Sequence, residues 1–106
     1  MKTLYRFKLD PDTGEITINE ITNYVIVKDS PYRDSYYCYR GKSVTNYVKF
    51  SNIDRMFCNQ VYTFEPNPEH AKQIMLDALY DKAEQLKKQY EKVCDTFDKL
   101  KCNSIM

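Results

Sequence analysis

Few side chains in this sequence have the chemistry that catalysis or metal binding requires. His70 is the only imidazole among the 106 residues, and no Cys-x-x-Cys pair occurs. A zinc site of familiar spacing therefore has no ligand set, and two glycines in the whole chain exclude a P-loop or a dinucleotide fingerprint. We predict a protein that is not an enzyme and that uses no metal and no cofactor.

The cysteines are Cys38, Cys58, Cys94 and Cys102. A nucleophile at Cys38 or Cys58 is the remaining enzymatic alternative, although neither has an evident activating base. Cys94 and Cys102 lie roughly 12 Å apart along a predicted helix, which is too far for a disulfide. We expect four reduced thiols, as in an intracellular protein.

Tyrosine and basic side chains are the candidates for binding. The segment "YYCYRGKSVTNYVK" predicts a hairpin with Gly41 and Lys42 as its loop. Alternation then assigns Tyr37 and Tyr39 to the core. The opposite face of this hairpin collects an aromatic and basic set, namely Tyr36, Arg40, Tyr47 and Lys49.

This face has two interpretations. Tyrosine forms strands well, and that alone explains the run. Alternatively, tyrosine and arginine mark a protein interface. A further possibility is that Tyr36 and Tyr47 stack on nucleotide bases while four basic residues face phosphates, namely Arg40, Lys49, Arg6 and Lys8. Sixteen basic and fifteen acidic residues give a net charge of +1, which counts against binding to nucleic acid.

The elements that position these residues begin with strands. "LYRFKLD" alternates Tyr5 and Phe7 with basic residues, and "DPDTGE" predicts a turn in which Gly14 is left-handed. The returning strand changes phase, so we predict a bulge or break near Asn19 and Glu20. A turn around Ser30 and Pro31 comes after it.

The remaining segments are a short helix near 52–58, a last strand at "QVYTF", and a helix over 67–102 with Asn67 as N-cap and Pro68 in its first turn. The sequence therefore predicts an α+β fold, an antiparallel β-meander of four to five strands followed by one long C-terminal amphipathic α-helix. We expect a single domain over 1–106, with β hairpins over 1–66.

The long helix carries more apolar surface than its sheet can cover. From Leu76, apolar residues recur at alternating spacings of three and four, a heptad pattern. A helix of about 50 Å exceeds the roughly 19–24 Å width of such a sheet. The part left uncovered comprises Leu86, Tyr90, Val93, Phe97 and Leu100.

Three arrangements would cover these residues. A second copy of the chain gives a homodimer through the helix, a target protein takes its place, or the helix breaks near Lys87 and folds back. The opening "MKTLYRFKLD" lacks the apolar run of a signal peptide, and no stretch reaches the length of a membrane span. We therefore expect a soluble cytoplasmic protein that does not enter a membrane.

Two segments of the sequence, the opening "LYRFKLDPDTGEI" and the junction "YTFEPNPEHAKQI", are similar to segments of known proteins. Both segments resemble small proteins encoded by phages, prophages and other mobile elements of Gram-positive bacteria, which are similar in style to anti-CRISPR and other anti-defence inhibitors. The resemblance implies a host cytoplasmic protein that binds a bacterial defence complex. No functional residue carries over from this resemblance.

The alternative function, which rests on the tyrosine and basic side chains, is a nucleic-acid or nucleotide binding module.

Overall fold

The computed structural model describes residues 2–28 and 35–103. The chain divides into two compact units, Met1–Met75 and Leu76–Met106. The first contains all the strands and the start of a helix, and the second contains the rest of that helix. The predicted α+β class, antiparallel strands followed by one long C-terminal helix, is confirmed. The predicted turn around Ser30 and Pro31 lies outside the described residues.

Seven strands precede the helix within the described residues. They are β1 (Leu4–Leu9), β2 (Ile16–Ile21), β3 (Tyr24–Val27), β4 (Tyr36–Arg40), β5 (Thr45–Lys49), β6 (Met56–Phe57) and β7 (Gln60–Thr63). The first sheet has the order β2-β1-β7-β6 and the second has the order β3-β4-β5. All strand pairs are antiparallel. The strands therefore form two sheets, whereas the hydrophobic pattern predicted one meander.

The change of sheet occurs between β2 and β3. Thr22 and Asn23 separate these strands, so the break lies two to three residues after the position predicted near Asn19 and Glu20. Because Ile21 is buried in the first sheet and Tyr24 in the second, the two-residue link lets both side chains enter one core.

Strand β1 is buried on both of its faces. Leu4 is 0% exposed and belongs to a cluster with residues of the second sheet, including Tyr39 and Val48. Phe7 is 1% exposed and points to the other side, where it packs with Val61 and the first helical turns. The predicted alternation places Tyr5 and Phe7 on one face, but it does not reveal that the opposite face is also buried at Leu4.

The predicted first turn forms as expected. Gly14 has a φ of 77°, and its amide donates to the Asp10 carbonyl at 2.8 Å. Asp10 Oδ1 also accepts a hydrogen bond from the Asp12 amide at 2.9 Å. These local bonds return the chain into β2 in the register that pairs Phe7 with Ile18.

The second hairpin differs from the prediction in its loop. The loop comprises four residues, Gly41 to Val44, and is closed by a 2.8 Å bond from the Gly41 amide to the Val44 carbonyl. The observed register pairs Tyr37 with Val48, two residues away from the predicted one. A shift of two residues keeps every side chain on its predicted face, because alternation has a period of two.

The short helix predicted near 52–58 does not form. A 3-10 turn occupies Phe50–Asn52, and β6 comes next at Met56–Phe57. Cys58 and Asn59 then link β6 to β7, both with positive φ, at 50° and 61°. Two successive residues with positive φ are the mark of a tight type I′ hairpin.

The helix α1 spans Pro68–Cys102 without interruption. Asn67 caps it as predicted, because its Oδ1 accepts a hydrogen bond from the Glu69 amide at 3.0 Å. The alternative in which the helix breaks near Lys87 is therefore wrong. Ala71 and Met75, in its first turns, are buried at 0% and 2% exposure.

The burial of β1 on two faces leads to a stability prediction. We expect Leu4→Ala and Phe7→Ala each to lower the free energy of unfolding by about 2–5 kcal/mol, because each leaves a cavity in a different cluster. Ile18→Ala removes a side chain that is 47% exposed and should cost less than about 1.5 kcal/mol. Urea denaturation measures all three, and a Leu4→Ala cost as small as that of Ile18→Ala would contradict two-sided burial.

Candidate functional site

The outer face of the second sheet gathers side chains from all three of its strands, and we call it the tyrosine face. It consists of Val25, Val27, Tyr36, Cys38, Arg40, Thr45, Tyr47 and Lys49. The rings of Tyr36 and Tyr47 make an edge contact with centroids 6.1 Å apart. Tyr47 is 65% exposed. The structure thus places four predicted binding residues, Tyr36, Arg40, Tyr47 and Lys49, on one face.

Strand β3 adds an apolar part that sequence reasoning missed. Val25 and Val27 are 61% and 39% exposed, although valine in a strand usually indicates a core position. The only signal in the sequence is their alternation with Tyr24, whose ring is buried and whose hydroxyl donates to the Lys2 carbonyl at 2.6 Å. The tyrosine face is therefore more apolar than predicted.

The inner face of the same sheet uses its aromatic residues for packing. Tyr39 is buried, and Tyr37 stacks on Phe50 with ring centroids 4.4 Å apart. Tyr37 also meets Tyr24 edge to face at 5.5 Å. The tyrosine run thus supplies both the core and an exposed face.

Arg6 and Lys8 do not join the tyrosine face. Both belong to β1 in the first sheet, where Arg6 pairs with Tyr62 and Lys8 with Gln60. Lys8 is exposed, but Arg6 is half-buried, and its Nε has no hydrogen-bond partner among the described residues. The predicted set of stacking and phosphate-binding residues is therefore divided between two sheets.

One buried and one half-buried tyrosine connect the sheets. The hydroxyls of Tyr39 and Tyr62 share a hydrogen bond of 2.6 Å. Burial first, and then this bond, raise the pKa of Tyr62 well above its ordinary value of 10.0. Burial also raises the pKa of Tyr37, with the neighbouring Tyr24 as the smaller cause.

The second candidate surface is the apolar stripe of α1, which we call the helix seam. Its members are Leu76, Leu79, Ala83, Leu86, Tyr90, Val93, Phe97 and Leu100. The large side chains among them are 42% to 71% exposed. All five predicted partner residues lie in this seam, on a helix without a break.

The residues considered for chemistry are placed apart. All four cysteines are free thiols, and Cys58 lies in a hairpin turn. His70 Nε2 lies 3.2 Å from Asp54 Oδ1, which ties the first helical turn to the loop before β6. Among the described residues, no group of three or more His, Cys, Asp or Glu side chains is arranged to hold a metal ion.

Within the described part of the chain, no helix has the length and apolar character needed to cross a membrane. Comparison with protein-family models, curated proteins and solved structures finds no match to this chain. The two exposed surfaces, the tyrosine face and the helix seam, are the features of the described residues that bear on binding.

The shared hydroxyl bond leads to a prediction about alkaline stability. Unfolded Tyr62 ionises near pH 10.0 while the folded residue stays protonated, so the free energy of unfolding falls as pH rises above 10.0. Tyr62→Phe should make that fall shallower and should cost about 0.5–1.5 kcal/mol at neutral pH. Tyr80→Phe, at a position 67% exposed, is the control. Urea denaturation at several pH values measures both, and an unchanged slope in Tyr62→Phe would contradict the assignment.

Proposed function

We propose that this protein acts by binding another protein, and that the helix seam is its binding surface. The observation that carries the proposal is the exposure of Leu86, Val93 and Leu100, at 54%, 66% and 67%, along one stripe of a continuous helix. Soluble proteins seldom leave an apolar surface of several hundred Å² in water unless it is a contact site. Alternating spacings of three and four are the pattern by which one helix packs against another.

The charges beside the seam indicate which helix fits. In heptad terms Leu76 occupies an a position and Leu79 a d position, which places Lys82 at g and both Lys87 and Lys101 at e. These three lysines form no ion pair within the described residues. The seam is therefore bordered by positive charge that its own helix does not neutralise.

Every acidic residue from Leu76 to Cys102 lies away from that border, at b and f positions. They are Asp77, Asp81, Glu84, Glu91, Asp95 and Asp98. Their one ion pair with a lysine among the described residues joins Asp95 to Lys99, at 3.0 Å on the outer face. The helix is neutral as a whole but positive beside its seam.

This arrangement opposes pairing with a second copy. In a parallel pair, Lys82 faces Lys87 of the other helix. In an antiparallel pair, residues at g positions face each other and residues at e positions face each other. Each lysine then faces another lysine or an uncharged residue. Like charges across a seam destabilise it and direct partner choice. We therefore propose that the helix seam binds an amphipathic helix of another protein, one with acidic residues beside its own apolar stripe. The predicted homodimer is the alternative result that the experiments below distinguish.

The setting of such a partner is proposed from the resemblance alone. Similarity to proteins of phages and mobile elements makes bacterial defence complexes the first group in which to search for an acidic-bordered helix. An inhibitor that covers a helix of such a complex needs no catalytic residue, and the single histidine and scattered carboxylates of this chain fit that role.

Two synthetic helices test the charge preference. Both carry leucine at a and d, and they differ only at the e and g positions, which are all glutamate in the Glu-bordered peptide and all lysine in the other. We expect the Glu-bordered peptide to bind at least tenfold more tightly at low salt, and we expect that advantage to shrink as salt screens the charges. Calorimetric titration measures both. Equal affinity would refute the acidic partner while keeping the seam, and binding of neither would refute the seam.

Replacing two seam residues by glutamate tests the surface. Leu86→Glu with Val93→Glu should abolish capture of the Glu-bordered peptide, because two charges would be buried without partners. Lys88→Gln with Lys92→Gln changes the net charge by the same amount on the opposite face and should bind as the wild type does. Size exclusion with light scattering on all three proteins gives the oligomeric state. A wild-type dimer that the seam variant alone dissociates would contradict the acidic partner and establish the homodimer.

A further inference from the structure

The first unit contains a groove to which the helix seam contributes no residue. Of the tyrosine face, only Arg40 lines this groove. The groove has a volume of about 1070 Å³ and is bordered by β2, by the Thr22–Asn23 link and by the Gly41 to Val44 loop. Its charged lining residues are Arg6, Glu20, Arg40 and Lys42, and it also presents the amides of Asn19 and Asn46. Because the helix seam contributes no residue to this groove, a ligand bound here would be independent of the proposed function.

Arg6 is the unusual member of this lining. Its strand lies between β2 and β7, and its Nε is buried with no hydrogen-bond partner among the described residues. A buried donor on a cation without an acceptor is costly, and such groups in native proteins usually meet a water, an ion or a ligand. The neighbouring hydroxyls of Tyr39 and Tyr62 bond to each other. Arg6 itself lines the groove, so a shift of its side chain would bring this donor to an acceptor bound there.

The charge of the lining defines that acceptor. Arg6, Arg40 and Lys42 supply three positive charges against one negative charge at Glu20, and none of the four forms an ion pair within the described residues. A phosphate monoester carries about −1.5 to −2 at neutral pH and offers three acceptor oxygens. Guanidinium groups bind such oxygens in a fork geometry.

The loop that carries Lys42 is held against the groove by close packing. A Cβ at Gly41 would approach Asn46 Nδ2 to 2.7 Å and the Val44 carbonyl oxygen to 3.2 Å, so glycine allows the Asn46 amide to lie against the loop. Asn46 belongs to β5, next to the strand that ends at Arg40. The two outer cations are thus attached to a short, hydrogen-bonded loop.

We infer that this groove binds the phosphate group of a small phosphorylated ligand, with Arg6 as the inner contact and Arg40 and Lys42 at the rim. The volume exceeds what a free phosphate ion fills and suits a ligand of nucleotide size. The amides of Asn19 and Asn46 supply polar contacts for the rest of such a ligand. Neither Tyr36 nor Tyr47 lines the groove, so this site differs from the stacking surface predicted for nucleic acid.

Amide chemical shifts measured during titration test the site. The probes are adenosine monophosphate, inorganic phosphate and adenosine, each added to the whole chain at low and moderate salt. We expect both phosphate-bearing probes to shift the amides of Arg6 and of residues 40–44, with weaker binding at the higher salt, and adenosine to shift none. Tighter binding of the nucleotide than of phosphate would support a ligand of nucleotide size. Absence of shifts with both phosphate probes, or equal shifts with adenosine, would overturn the inference.

Two variants separate binding from folding. Arg40→Gln with Lys42→Gln should weaken nucleotide binding at least tenfold, whereas Lys88→Gln with Lys92→Gln, which changes the net charge equally, should leave it unchanged. Without ligand, Arg6→Met should melt at or above the wild-type temperature, because it removes a buried donor that has no acceptor. Adenosine monophosphate should raise the melting temperature of the wild type but not that of Arg6→Met. If Arg6→Met does not fold, the Arg40 and Lys42 variant decides, and wild-type affinity in that variant would overturn the inference.

Discussion

Burial of β1 on both faces is the constraint on which the first unit depends. A strand of six residues has only two sides, and Leu4 and Phe7 anchor a different cluster on each. The Leu4 side is completed by the second sheet, and the Phe7 side by the first turns of α1. Because β1 lies between β2 and β7, its backbone donors and acceptors are also used in ladders on both edges. Removal of this strand would leave neither cluster complete.

The same constraint determines which surfaces remain for binding. Among the described residues, the two clusters use apolar side chains only as far as Met75, and the apolar side chains from Leu76 to Leu100 belong to neither. The side of the second sheet that faces away from Leu4 becomes the tyrosine face. Arg6 is half-buried for the same reason. It lies on the Leu4 side of β1 and pairs with Tyr62, whose hydroxyl is bonded to that of Tyr39. Core formation and candidate binding surfaces are thus two results of one arrangement.

Local chemistry made much of this fold predictable. Asn67 and Pro68 mark the start of the helix, Gly14 marks the first turn, and strand alternation assigned Tyr37 and Tyr39 to the inner face correctly even though the loop length was wrong. The seam was predictable because a heptad is a property of the helix alone.

The remaining features depend on contacts between residues far apart in sequence. The division into two sheets could not be read from the pattern, since a phase change after Ile18 fits a bulge as well as a break. The turn at Cys58 and Asn59 lacks the glycine that usually signals it. The groove brings Arg6 to Arg40 across 34 positions of the chain, and no local spacing indicates that meeting.

The central claim is that the helix beyond Met75 depends on a partner for its apolar contacts. Hydrogen exchange on the intact chain, at a concentration where light scattering finds a monomer, tests this most directly. The account predicts that amides from Leu79 to Leu100 exchange at least roughly 100-fold faster than those of β1, and that the Glu-bordered peptide slows them. Protection of those helical amides equal to that of β1, in the monomer and without peptide, would contradict the account.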